Sequence, residues 1–179
     1  DIFLEINDQI HETRFFPEGY FMQRHKPKVM ERMHTHGHVE VLLPDGCELT
    51  YLTQTGTFKT RDQSLHILWG QMPHRVTRVT GNGHINIANL PLHEILSMQF
   101  PENFLSKLFT GQLIRANKKD PIDVSLFKKW ISDYSSKNIQ KISLSKIELR
   151  CRLTRQMLDE WNYNEENYNK PNKQTSKLQ

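Results

Sequence analysis

Across residues 28–90 apolar and polar side chains alternate in short runs broken by turn residues, the period-2 pattern of half-buried antiparallel strands. Val39, Val41 and Leu43 alternate with His38, Glu40 and Leu42. Cys47, Leu49 and Tyr51 alternate with Glu48 and Thr50, and Leu65, Ile67 and Trp69 with His66 and Leu68; Ile85 and Ile87 repeat the habit. Between these runs Pro44-Asp45-Gly46, Thr55-Gly56, Gly70 with Pro73, and Gly81-Asn82-Gly83 predict turns. At least six strands spaced about ten residues apart point to a sandwich or barrel, not to a parallel sheet with helical crossovers.

After Pro91 the period changes. Phe104, Leu105, Leu108 and Phe109 fall at helical spacing behind Pro101, and Pro121 sits where the first turn of a second helix tolerates it. That second helix carries Val124, Phe127, Trp130, Ile131 and Tyr134. A third, over residues 143–162, sets Leu144, Ile147, Cys151, Leu158 and Trp161 along one stripe, interrupted at Thr154. The expected class is mainly β with C-terminal α: a β-barrel over 1–92, two or three helices over 93–165, and a polar stretch, 166–179, that reads as a linker.

Composition adds limits. A chain of 179 residues is long enough for one domain with a real core. No apolar run approaches the roughly 18 residues of a membrane span. The formal charge of +4 would suit nucleic acid, but Lys and Arg are dispersed and several fall after Tyr163, so charge names no partner. Acids occupy the opening residues where a secretory signal would carry bases. Cys47 and Cys151 lie far apart in unlike segments and suggest neither a disulfide framework nor a cysteine-zinc site. A soluble, cytoplasmic protein is expected.

The candidate chemistry is histidine-rich. Eight of the nine histidines lie between His25 and His93. His34, His36 and Glu40 share parity along an extended chain, so regular pairing projects them to one face, and His74 follows a glycine-containing turn on a later strand. Three imidazoles and a carboxylate suit one divalent ion, with Zn, Ni, Fe and Mn the candidates. The alternative is that these side chains are the polar lining of a pocket, with His38 and His66 on the solvated face. A sugar ligand needs hydrogen-bonding side chains and an aromatic platform. Trp69 is the candidate platform, with Arg75 and Asn89 as further donors beside His34, His36, Glu40 and His74. Equally, Trp69 could be core between barrel and helices.

The spacing of His34, His36, Glu40 and Gly46 resembles the first cupin signature, H-x-H-(x)3-E-(x)5-G, and His74 could supply the histidine of the second. The second motif departs: Trp69-Gly70-Gln71 stands where Pro-x-Gly is usual, and no Asn follows His74 at the expected distance. The run H-T-H-G-H-V-E-V at residues 34–41, W-G-Q-M-P-H at 69–74 and N-L-P-L-H at 89–93 together resemble the amino-terminal domain of AraC-family transcription regulators. The resemblance is strong over about a third of the chain and weak over the following helices. It implies a cupin-like double-stranded β-barrel (jelly roll) that binds a small effector, such as an α-galactoside sugar. It further implies a homodimer formed through the last helix (Leu144, Ile147, Cys151, Leu158, Trp161), and DNA binding through a carboxy-terminal domain beyond the linker. A metal-dependent cupin enzyme, such as a dioxygenase or sugar isomerase, and a metal-responsive binding module are the rival readings.

Overall fold

In the computed structural model, which describes residues 19–159 and 161–162, alternation has become sheet almost wherever it was strong. The strands are β1 (Phe21–His25), β2 (His38–Thr53), β3 (Gly56–Lys59), β4 (His66–Trp69), β5 (His74–Pro91), β6 (Ile114–Ala116) and β7 (Trp161–Asn162). The helices are α1 (Leu92–Ser97), α2 (Glu102–Phe109), α3 (Ile122–Ser135) and α4 (Ile139–Leu158). All pairings are antiparallel, in the order β1-β5-β2-β4-β6-β7 with β3 on β2. The class is the expected one, a mainly β, cupin-like sheet followed by helices. The expected linker, 166–179, lies outside the described residues.

Two expected turns are instead bends inside long strands. Pro44-Asp45-Gly46 lies within β2 and Gly81-Asn82-Gly83 within β5, and the pairing of the two strands shifts register between Asp45 and Cys47. Gly46 and Gly81 have φ of +78° and +84°, a left-handed conformation that glycine adopts without steric cost. A Cβ on Gly83 would fall 2.0 Å from the Asp45 carbonyl oxygen, so the two backbones approach too closely for any side chain there. Both strands therefore turn together, as paired strands do at a bulge. Arg24 braces the bend, donating to Asp45 Oδ2 and to Asn86 Oδ1, each at 2.8 Å.

The bend makes two cores. Past it, Leu49, Tyr51, Phe58 and Val76 fold over the inner face of the first halves, where they meet Leu42, Leu68, Ile85 and Ile87. The outer face of the same strands, with Val39, Val41, Leu43, Ile67 and Leu90, packs against Phe104, Phe127, Trp130, Leu149 and Leu153 of the helices. Both faces of β2's first half are thus buried, which explains its nearly unbroken apolar run.

The last helix departs from expectation. It begins at Ile139, where the Asn138 side chain caps it by accepting from the Lys141 amide at 3.0 Å, and ends at Leu158. Trp161 is not on it: the residue pairs with Ala116 in β7, is 4% exposed, and packs edge-on to Phe104 at 5.7 Å. The buried stripe of α4 is instead Ser145, Leu149, Arg152, Leu153 and Gln156. Arg152 donates from Nε and Nη2 to the two carboxylate oxygens of buried Asp123 at 2.6 and 3.0 Å, locking α4 to α3. Glu94 of α1 is bound by Lys146 at 2.5 Å and Arg150 at 2.6 Å, both on α4. Leu144, Ile147, Cys151 and Leu158 remain exposed.

His66, one of the pair expected on the solvated face, is fully buried, and its Nε2 accepts from the Arg61 amide at 3.1 Å. Burial, then the nearby Arg115 charge, push its pKa down to about 3. In the unfolded chain it binds a proton below about pH 6.5, so its contribution to stability is present above that pH and lost as pH falls toward about 3. The stability difference between wild type and His66→Gln in urea unfolding is therefore expected to shrink by about 1 kcal/mol between pH 6 and pH 5. A difference independent of pH in that window would remove the assignment.

Candidate functional site

Three histidines converge where the segment before β2 crosses the start of β5. His34 and His74 exchange backbone hydrogen bonds at 3.0 and 3.1 Å, an isolated antiparallel bridge that sets their rings 4.2 Å apart. Two residues on, the His36 amide donates to the Gly70 carbonyl at 2.8 Å, and its ring lies 5.3 Å from that of His74. One ligand atom from each of the three falls within 4.8 Å of the others. Glu40 does not join that group but touches it: His36 Nε2 is 3.0 Å from Glu40 Oε1, at ion-pairing distance without the alignment of a hydrogen bond.

Protonation states follow from burial. His34 is held down to about 4 by desolvation and then by the neighbouring His74, and burial lowers His74 as well. Burial alone would raise the Glu40 carboxyl, but the contact with His36 and the three surrounding imidazoles outweigh it and lower it. His74 Nδ1 lies 2.8 Å from the Met72 carbonyl, which accepts only, so Nδ1 carries the proton and Nε2 keeps its lone pair. At neutral pH His34 and His74 are thus neutral and Glu40 is ionised, the state in which such side chains accept a divalent cation. A ring nitrogen donating to a backbone carbonyl is also the usual support of a metal-bound histidine. The donor set fits a metal.

Other predicted residues separate by face. Asn89 pairs with Glu40 across β5 and β2, faces the same way, is 1% exposed, and its Nδ2 is unpartnered. Trp69 pairs with Val39, which faces the helices, and its ring packs on Phe109 at 5.1 Å. It is a wall of the outer core and not a platform beside the histidines. Arg75 alternates away from His74 and donates from Nη1 to the Glu31 carbonyl at 2.6 Å. Tyr51 is the aromatic of the inner face, its ring 6.4 Å from His74, with its hydroxyl pKa raised well above the ordinary value by burial and then by Glu40.

Gly70 gains a role that turn chemistry did not suggest. A Cβ there would fall 2.0 Å from Cε1 and 2.1 Å from Nδ1 of His36, so the imidazole lies on bare backbone. Gly70→Ala is expected to cost about 1–3 kcal/mol of stability by overpacking. Combined with His36→Ala, most of that loss should vanish in a double-mutant cycle measured by urea unfolding. Additive losses would show that the glycine serves something other than the His36 ring.

No family model matches the chain. Among curated proteins it is 25% identical over 135 residues to the melibiose operon regulatory protein of Escherichia coli K12, a match covering 75% of this chain and 45% of that protein. The same figures hold for the protein of a second E. coli strain, O6:H1. The chain therefore spans less than half the length of the curated relatives it matches. Among solved structures, apo ToxT K231A from Vibrio cholerae superposes with a TM-score of 0.54 at 10% identity, covering 76% of this chain and 55% of that one, which is a likeness of fold. The curated relatives are by name operon regulatory proteins, and this chain is similar to them over three quarters of its length.

Proposed function

We infer that this chain is the effector-sensing part of an AraC-type transcription regulator, and that it binds a sugar such as an α-galactoside on the inner face of the sheet. The observation that carries the reading is the convergence of His34, His36 and His74 beside ionised Glu40, in a chain related to a melibiose operon regulator. One Zn, Ni, Fe or Mn ion held by the three histidines, with Glu40 steadying His36 or completing the set, would present a Lewis acid to effector hydroxyls. Asn89, buried with a free amide donor, and Tyr51 supply the hydrogen bond and the aromatic surface that a sugar ring needs. DNA binding belongs, on this reading, to another part of the regulator.

Elemental analysis of purified protein tests the metal. Wild type is expected to carry about one equivalent, and His34→Ala and His74→Ala to lose it. Unchanged content in both variants would sink the site. Calorimetric titration with α-galactosides and other sugars is expected to give saturable heats that weaken at least tenfold in Asn89→Ala; silence across the panel would remove the sugar.

The exposed face of α4 supports a homodimer. Leu144, Ile147 and Leu158 are 47%, 55% and 82% exposed and share one side of the helix with Cys151, while the opposite side is already buried within the chain. Leu144→Asp with Ile147→Asp is expected to convert a dimer into a monomer in sedimentation velocity without loss of helicity. A wild type that sediments as a monomer, or a variant that remains dimeric, would refute the interface.

A further inference from the structure

Strand β1 ends the sheet on one side, and its alternate residues divide between the two cores. Met22 packs in the outer core with Ala88, its cross-strand partner. Phe21, Gln23 and His25 therefore point to the inner face, opposite Asn89, Ile87 and Ile85. Ile87 and Ile85 are 6% and 1% exposed, whereas the three β1 residues facing that side are only half-buried. Solvent thus reaches the inner face along its β1 edge.

This open stripe is continuous with the histidine cluster. His38, expected on the solvated face, shares the parity of Glu40 in β2 and is half-buried on the inner side. Its ring stands edge-on to Phe21 at 5.8 Å and lies 6.1 Å from that of His36. At the far end of the stripe the Glu40 charge still acts on the His25 ring. Burial lowers the His25 pKa, so at neutral pH the ring is neutral and offers one N–H and one lone pair. Gln23, between them, carries an amide of both kinds, and neither side chain has a hydrogen-bond partner among the described residues. From Phe21 to His25 the stripe extends about 13 Å.

We propose that Phe21, Gln23 and His25 determine effector specificity, the Phe21 ring lying against the C–H face of a sugar and Gln23 and His25 binding its hydroxyls. The inference rests on the reading of a sugar effector on the inner face and assigns that effector its side of entry. A hydroxyl both gives and takes a hydrogen bond, which matches an amide and a neutral imidazole, and the ionised Glu40 disfavours an anionic ligand beside them. Phe21 adds to the buried Tyr51 an aromatic ring that solvent already reaches.

The test is calorimetric titration of the purified chain with melibiose and with methyl α-galactoside, each variant compared with wild type in metal content and far-UV circular dichroism. Phe21→Leu, which removes the ring but keeps an apolar side chain, and Gln23→Leu, which removes the amide, are each expected to weaken Kd at least tenfold with metal content and fold unchanged. Phe21→Tyr, which keeps the ring, and His25→Gln, which keeps a donor and an acceptor, should stay within about threefold of wild type. Wild-type affinity in Phe21→Leu or Gln23→Leu overturns the proposal and leaves the sugar reading standing. Binding lost together with metal or helicity assigns these residues to packing and overturns it as well. Silence of both sugars with wild type removes the sugar reading and this inference together.

Discussion

The backbone contact between Gly46 of β2 and the glycine pair of β5 sets what the rest of the molecule can do. Two strands of 16 and 18 residues would otherwise continue as one extended ribbon. With no Cβ at Gly81 or Gly83, the strands close to a distance at which both must bend, and the far halves return over the near ones. The inner face exists only because of that return. His74, on a far half, then meets the segment carrying His34 and His36, and Tyr51 comes to lie over the same space.

Enclosure has an electrostatic consequence. Imidazoles grouped this closely would repel one another if charged, and burial removes the solvent that would otherwise sustain them. His34 and His74 settle as neutral donors of lone pairs, while the single carboxylate stays ionised because it lies against them. The cluster is thus polarised in the sense that favours a cation.

Much of this was legible in the chain. Parity placed His34, His36 and Glu40 on one face, because parity is a property of the strand alone and needs no knowledge of its neighbours. The same rule set Trp69 in phase with Leu65 and Ile67, but which phase faces the helices depends on packing that spacing does not encode. The bends were misread as turns because proline and glycine signal a change of direction without saying whether the ladder is interrupted. The α4 stripe loses only Trp161, and the side of the helix buried within the chain was hidden for a chemical reason. Arg152 and Gln156 look like surface residues until Asp123 is seen to satisfy them, and with the polar side buried the apolar side was left outside. Trp161 matched the helical period by coincidence, and its large ring found a better place in the sheet.

Glu94 carries one more implication. It lies five residues beyond Asn89 on an unbroken stretch of backbone, and two cations of α4 hold its carboxylate from the other side. The end of β5 and the long helix are therefore joined by charge as well as by packing, and the helix so anchored is the one whose other side exposes Leu144, Ile147 and Cys151.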